Sequence, residues 1–498
     1  VTELYSPLLA SFPLLLWKTP PGLELILGQE GVAFEIVTDA HPYSFRRGRF
    51  VIFDSREVAP GALGELLTSG HVAIDIDMLR RGEPIDPFDA LIDDQSAPAS
   101  YWAGDYKLTE RVGRFPKTWI RHRLIARLRE AINSTGGTWI RLAPFPYPYR
   151  SSFSFRADLD ETDLVDYQRF ATARTPLADC TTHFVSTYAY GDQPAVLDDL
   201  RSLDTQSHGH FHHVYRDDEA NRANVDRAHR ILRNAGFEPA GFAGPHGRWR
   251  AGLDDILEEL GYQYASDFQL GHDDFPFYPW KGTRFSRVLQ IPIHPVCEGL
   301  FIEAGLVDTS EIGAYLRDVV LAKIDAEEPA IVYGHPERRL ARMPVVLVML
   351  ARAIEREPLV WRASLSDLAR WWRFRAERRW MVIAQSDQHL DIQFDEWDPE
   401  FPLALEIHRG RFRCSIPVTG ARTSIQLGDL AYERTDGLRP SVAHPTIERG
   451  PLTWKQAVRT ALDWETVTPI DELPRSTLSS RVKRELRRWK HHRAGSLS

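Results

Sequence analysis

The chain has 498 residues, 43% of them hydrophobic and 26% charged, and a formal net charge of -8. That length exceeds one ordinary core and predicts two to four ordered domains. The negative balance excludes a broad basic face for nucleic acid, and three scattered cysteines, Cys180, Cys297 and Cys414, exclude a disulfide framework and a cysteine-only metal site. A reducing, cytoplasmic location is the expectation that follows.

In chain order, the first feature is an apolar stretch from Ser6 to Trp17. It carries Pro7 and Pro13, has Glu3 where a leader needs basic residues, and shows no small-residue cleavage site. No run reaches the roughly 18 apolar residues that a bilayer span requires. Strand-like runs follow at Val32–Val37, Arg49–Ser55 and His71–Asp77, with helix-like segments after Pro21 and after Pro60. A longer helix is predicted from Trp119 to Asn133, ending near Gly136 and Gly137. This alternation predicts a small α/β domain over residues 1–147 with a parallel sheet. It contains no glycine-rich phosphate loop.

Between residues 148 and 378 the alternation resumes at longer spacing. Candidate strands are SFSFRADLD, THFVST, LDTQSH, PAGFAG, YQYASD, VLQIPIH, AIVYGH and LVWRAS, with helices over Ala223–Asn234 and Leu253–Leu260. Seven or eight strands in such a length predict a distorted (β/α) barrel, whose active site forms at the C-terminal ends of its strands. Residues 379–470 read as a small β-rich domain, with alternating strands WMVIAQ, HLDIQF, LALEIHRGRFRCSIP and TSIQLG and a hairpin at His408–Gly410. The tail, 471–498, has seven Lys or Arg between Arg481 and Arg493, with Val482, Leu486 and Trp489 at helical spacing. It reads as a solvated helix or as a peripheral contact with an anionic membrane.

Four pieces within the barrel carry chemistry. Asp158 and Asp160 lie two apart at a strand end, so alternation puts both on one face; two carboxylates so close favour a cation beside them. QSHGHFHHVY places His208 and His212 four apart, and a helical turn would aim both at one metal ion. His210 and His213 would point elsewhere. GFAGPHGRW supplies a turn at Pro245, His246 and Gly247 after a strand, and IVYGHPE puts His335 at the end of a late strand. Trp280, in the aromatic run DDFPFYPW, offers a ring for stacking on a sugar face or for filling a core.

In this order, DxD, SHGxxxH, PxG, IPIHP and a late strand-end histidine, the segment from Ser151 to Leu368 resembles the polysaccharide deacetylases of carbohydrate esterase family 4. The resemblance implies a hydrolase that removes an N-acetyl group from an amino sugar in a polysaccharide or lipid-linked glycan, with one divalent metal ion, zinc, as cofactor. It implies that Asp160, His208 and His212 hold the metal, that Asp158 is the base and that His335 is the acid serving the departing amine. Pro245, His246 and Gly247 then belong to the groove wall, with Trp280 as a further substrate contact. The order of these roles suits amide hydrolysis, which needs a nucleophile, an oxyanion stabiliser and a proton donor. The sequence departs from the family in writing Asp158-Leu159-Asp160 for the first motif and in having Ala243 where the third motif carries an arginine. Arg156 and Arg248 are the candidates to replace that arginine. Two other functions stay open: another amide hydrolase such as a sugar deformylase, and a catalytically silent carbohydrate-binding protein.

Overall fold

The computed structural model describes residues 12–37, 50–59, 61–62, 72–385, 389–435 and 446–447, and single positions in the tail. The basic tail helix and all but the start of the segment after Pro60 lie outside the described residues.

The N-terminal sheet holds β1 (Leu14–Trp17), β2 (Phe34–Val37), β3 (Phe50–Phe53) and β4 (Val72–Asp75) in the order β2-β1-β3-β4, all parallel. The parallel sheet agrees with the alternation in the sequence. Its central strand β1 comes from the apolar stretch that the sequence reading assigned to no element. LLLW is continuously apolar because both faces are covered, as parallel sheets require. The helix Pro21–Glu30 starts on a proline at its first position and stops at Gly31, which takes a left-handed φ of 67°. A long helix, Lys117–Ser134, lies where Trp119–Asn133 was expected. Two further features were not anticipated. One is an antiparallel hairpin of β5 (Ser96–Ala103) and β6 (Tyr106–Gly113); the other is β7 (Trp139–Leu142).

All eight barrel strands occur. They are β8 (Ser151–Leu159), β9 (Thr181–Val185), β10 (Asp204–Ser207), β11 (Gly241–Phe242), β12 (Tyr264–Ala265), β13 (Leu289–Gln290), β14 (Pro329–Gly334) and β15 (Val360–Arg362). The sheet is parallel, in the order β13-β12-β11-β10-β9-β8-β14, with β15 on the start of β8. Three strands shorten to two residues, and the side from β13 back to β14 is bridged where the His294 amide donates to the Ile331 carbonyl at 2.9 Å. The result is a distorted (β/α) barrel. Every residue of β8 is buried; two of its three serines are satisfied, since Ser151 Oγ donates to the Glu328 carbonyl at 2.6 Å and Ser154 Oγ to that of Ala363 at 2.7 Å.

After the helix Leu365–Glu377 come β16 (Trp380–Gln385), β17 (His389–Phe394), β18 (Ala404–Arg409), β19 (Phe412–Pro417), β20 (Arg422–Gln426), β21 (Glu433–Arg434) and β22 (Thr446–Ile447). The expected hairpin forms between β18 and β19. Two antiparallel sheets result, β16-β17-β20 and β21-β19-β18-β7, so a strand that precedes the barrel completes a sheet that follows it. β22 likewise pairs with β5.

One buried guanidinium joins these parts. Arg375, 1% exposed, donates to the carbonyls of Ala143 (2.9 Å), Gln29 (3.1 Å) and Leu142 (3.1 Å). Gly31 leaves it room, since a Cβ there would lie 2.3 Å from its Nη2. Removing the donor strands buried acceptors, at a cost of about 1–3 kcal/mol for each such group. Arg375→Ala is therefore expected to lower global stability by about 3 kcal/mol or more, read from urea unfolding; an unchanged midpoint would show that the carbonyls are satisfied some other way.

Candidate metal centre and its neighbours

The site follows from strand register. Leu159 pairs with Val185, which pairs with Ser207, so β8 and β10 end at one level and Asp160 and His208 are the first residues beyond it. β14 ends at Gly334, opposite Ala157, which puts His335 level with Asp158. The cluster lies at the C-terminal strand ends, where barrel sites form.

Asp160 Oδ1 stands 3.2 Å from His208 Nε2 and 3.3 Å from His212 Nε2. Its other oxygen is 3.6 Å from His335 Nε2. Burial pushes the Asp160 carboxyl up, but His212, His208 and His335 outweigh it and hold the group well below the usual carboxylate range. The His208 ring is fixed by its Nδ1, which lies 2.8 Å from the Ala243 carbonyl; donation there leaves the Nε2 lone pair facing Asp160.

His212 arrives differently from the sequence expectation. The segment after β10 is a loop, not a helical turn, and Gly209 takes a left-handed φ of 80°. Two asparagines one turn apart on the helix Asp218–Asn234 hold that loop. Asn224 accepts from the Phe211 amide at 2.7 Å and donates to the Phe211 and His213 carbonyls, while Asn221 bonds both backbone groups of Tyr215 at 2.7 Å. His210 is held apart, its Nδ1 lying 3.0 Å from Thr187 Oγ1, and burial pushes it down to about 4.

The donor set fits a divalent ion. Ligand atoms at zinc's usual bond lengths, arranged tetrahedrally, stand about 3.3 Å apart; Asp160 Oδ1 meets both imidazoles at that spacing, and all three ligand atoms lie within 4.8 Å of one another. His208 Nε2 and Asp160 Oδ1 are buried and have no hydrogen-bond partner. Unpartnered buried polar atoms are costly, and a cation between them would satisfy both.

Asp158 has a different counter-charge. Arg156, two residues back on the same face of β8, grips it with two bonds of 2.6 Å from Nε and Nη2, and its Nη1 reaches the Ser266 carbonyl. Of the two candidates for the missing arginine, Arg156 is the one that touches Asp158. Asp158 Oδ2 also lies 3.8 Å from His208 Nε2.

The sequence reading missed Glu298, at the start of the helix Glu298–Glu303. It accepts from His335 through both the backbone amide (3.0 Å) and Nδ1 (2.7 Å). Burial opposes charge on His335, but Glu298 and Cys297 outweigh it and hold the imidazole well above its usual range. The only sequence signal was an acidic residue three beyond IPIHP. Pro245 and Gly247 form a short turn in which the His246 ring meets that of His212, with centroids 4.8 Å apart. Trp280 is not brought to this cluster; its ring packs on Phe285 at 5.0 Å. A cleft of about 1240 Å³ between the N-terminal sheet, the loop before β13 and β16 contains none of these residues.

No family model and no curated protein matches the chain. Solved structures do resemble its central part. A Mycobacterium smegmatis protein named as a polysaccharide deacetylase matches at 20% identity and a TM-score of 0.40, over 46% of this chain and 94% of its own. One of the same name from Pseudomonas aeruginosa PAO1 matches at 19% and 0.38, over 45% and 92%. A family 4 carbohydrate esterase from Streptomyces lividans, solved with acetate, matches at 12% and 0.30, over 43% and 92%. The likeness concerns the fold.

The geometry predicts about one tightly bound divalent ion per chain when metal content is measured on purified protein. Asp160→Ala is expected to weaken that binding by at least about 100-fold. Full retention of the ion would remove Asp160 from the site.

Proposed function

We propose that the chain is a metal-dependent N-deacetylase acting on an N-acetylated amino sugar in a polysaccharide or lipid-linked glycan. The observation that carries this reading is the convergence of Asp160, His208 and His212 within 3.2–3.3 Å contacts, beside a second carboxylate and a third imidazole that the cluster does not consume. Zinc or a similar ion, held by those three, supplies polarisation of the amide carbonyl and acidifies water.

The remaining work falls to the protein's own groups. Asp158, oriented by Arg156, takes the proton of the attacking water. His335, whose Nδ1–H donates to Glu298, presents Nε2–H to the departing amine. Glu298 thus keeps the proton donor charged and aimed. His335 Nε2 lies 3.6 Å from Asp160 Oδ2, so the acid would stand beside the residues that would hold the metal.

The test is release of acetate from N-acetylglucosamine oligomers and from lipid-linked N-acetylated sugars. Chelation should abolish it and zinc or cobalt restore it. Asp158→Asn should lower kcat by about 10²–10⁴-fold, the range of a general base. Arg156→Met should lower it by about tenfold or more while leaving metal content intact. Release of formate from N-formylated sugars, with no acetate released from the N-acetylated ones, would identify a deformylase. Sugar binding without turnover at any metal loading would identify a silent binder and end this reading.

A further inference from the structure

A second set of ligand-type atoms lies directly behind His335. Cys297, Glu298 and His335 each bring one donor atom to within 4.8 Å of the other two. Cys297 is buried and immediately precedes the helix Glu298–Glu303. Glu298 is fully buried, and while Oε1 meets His335, its Oε2 has no hydrogen-bond partner. Gly334 makes space for that oxygen: a Cβ there would stand 2.5 Å from it. The proposed hydrolysis uses His335 and one oxygen of Glu298, and gives no task to the thiol or to the other oxygen.

We propose that Cys297, Glu298 and His335 form a second, inhibitory cation site, selective for thiophilic divalent ions such as zinc in excess or cadmium. The selectivity follows from the donors. The first centre offers oxygen and nitrogen alone, whereas this one adds a sulfur, which favours soft ions over magnesium, calcium or manganese. As the ion binds, the Cys297 thiol and His335 Nδ1 each give up one proton to solvent, so two protons leave for one dication. The His335 ring is then tied through Nδ1 to the ion and loses the hydrogen bond to Glu298 that aims it. Arg339 is the opposing charge, with its guanidinium 2.9 Å from His335 Nδ1 and 3.6 Å from Glu298. Its side chain is 38% exposed and has a path outward into solvent. The inhibitory consequence rests on the deacetylase reading; the site itself does not.

The test uses the full chain, first loaded with one equivalent of zinc and then titrated with cadmium. The expected result is an ultraviolet thiolate-to-cadmium absorption that saturates at about one further equivalent, since three protein ligands define one site. The band is lost in Cys297→Ser and kept in Cys180→Ser and Cys414→Ser, and Arg339→Ala shifts it to lower cadmium concentration. Deacetylation should fall in step with the band, and Cys297→Ser should need at least about tenfold more cadmium for the same inhibition. A missing band, or one that survives Cys297→Ser, overturns the site. A band without loss of activity overturns its inhibitory role. A band in a chain that releases no acetate at any loading supports the site and removes the deacetylase reading instead.

Discussion

A buried carboxylate must be compensated, and the two at the end of β8 are compensated in different ways. Asp158 is held by the guanidinium of Arg156 through two hydrogen bonds, which fix its position. Asp160 is faced by three imidazole nitrogens, two from the loop after β10 and one from the end of β14. Burial holds the His212 imidazole well below its usual range and His335 faces only the other oxygen of Asp160, so Oδ1 remains an attraction for a cation. The i, i+2 spacing of the strand thus divides one acidic pair into a carboxylate held by an arginine and a carboxylate faced by imidazoles.

Around this division the supports come from elements remote in sequence. Asn221 and Asn224 fold the histidine loop back over β10, the Ala243 carbonyl sets the tautomer of His208, and Glu298 anchors His335 from the far side. Asp267, pushed up to about 7 by burial, receives the Gly244 amide and steadies the turn that carries Pro245. None of these groups touches the reacting centre in the proposed mechanism. Each removes a degree of freedom from one that does.

The eight barrel strands were legible because each couples a short apolar run to a polar strand end. Asp158, Asp160, His208 and His335 could be placed at such ends from spacing alone. The loop bearing His212 misled, because four-residue spacing suits both a helical turn and a tight loop, and only the asparagines on the next helix decide between them. β1 escaped notice because a strand covered on both faces has no alternation to read. The hairpin of β5 and β6 had a usable signal in the two-residue Gly104-Asp105 connection. β7 had none, since its partner β18 lies some 260 residues away in sequence and a four-residue run gives little pattern. Arg156 was one of two options until contacts separated it from Arg248.

The entry and exit of the barrel are tied into shared structure. The chain leaves β7, lying beside β18, to begin the barrel, and it passes from the helix Leu365–Glu377 straight into β16. Trp371 and Arg375 on that helix donate to the carbonyls of Pro144 and Ala143, on the incoming segment. A gene fragment encoding the barrel alone would therefore begin too late to carry the acceptors its own last helix depends on. In this chain the barrel is not a transplantable cassette, and any lineage that recombined it would have had to move its flanks along with it.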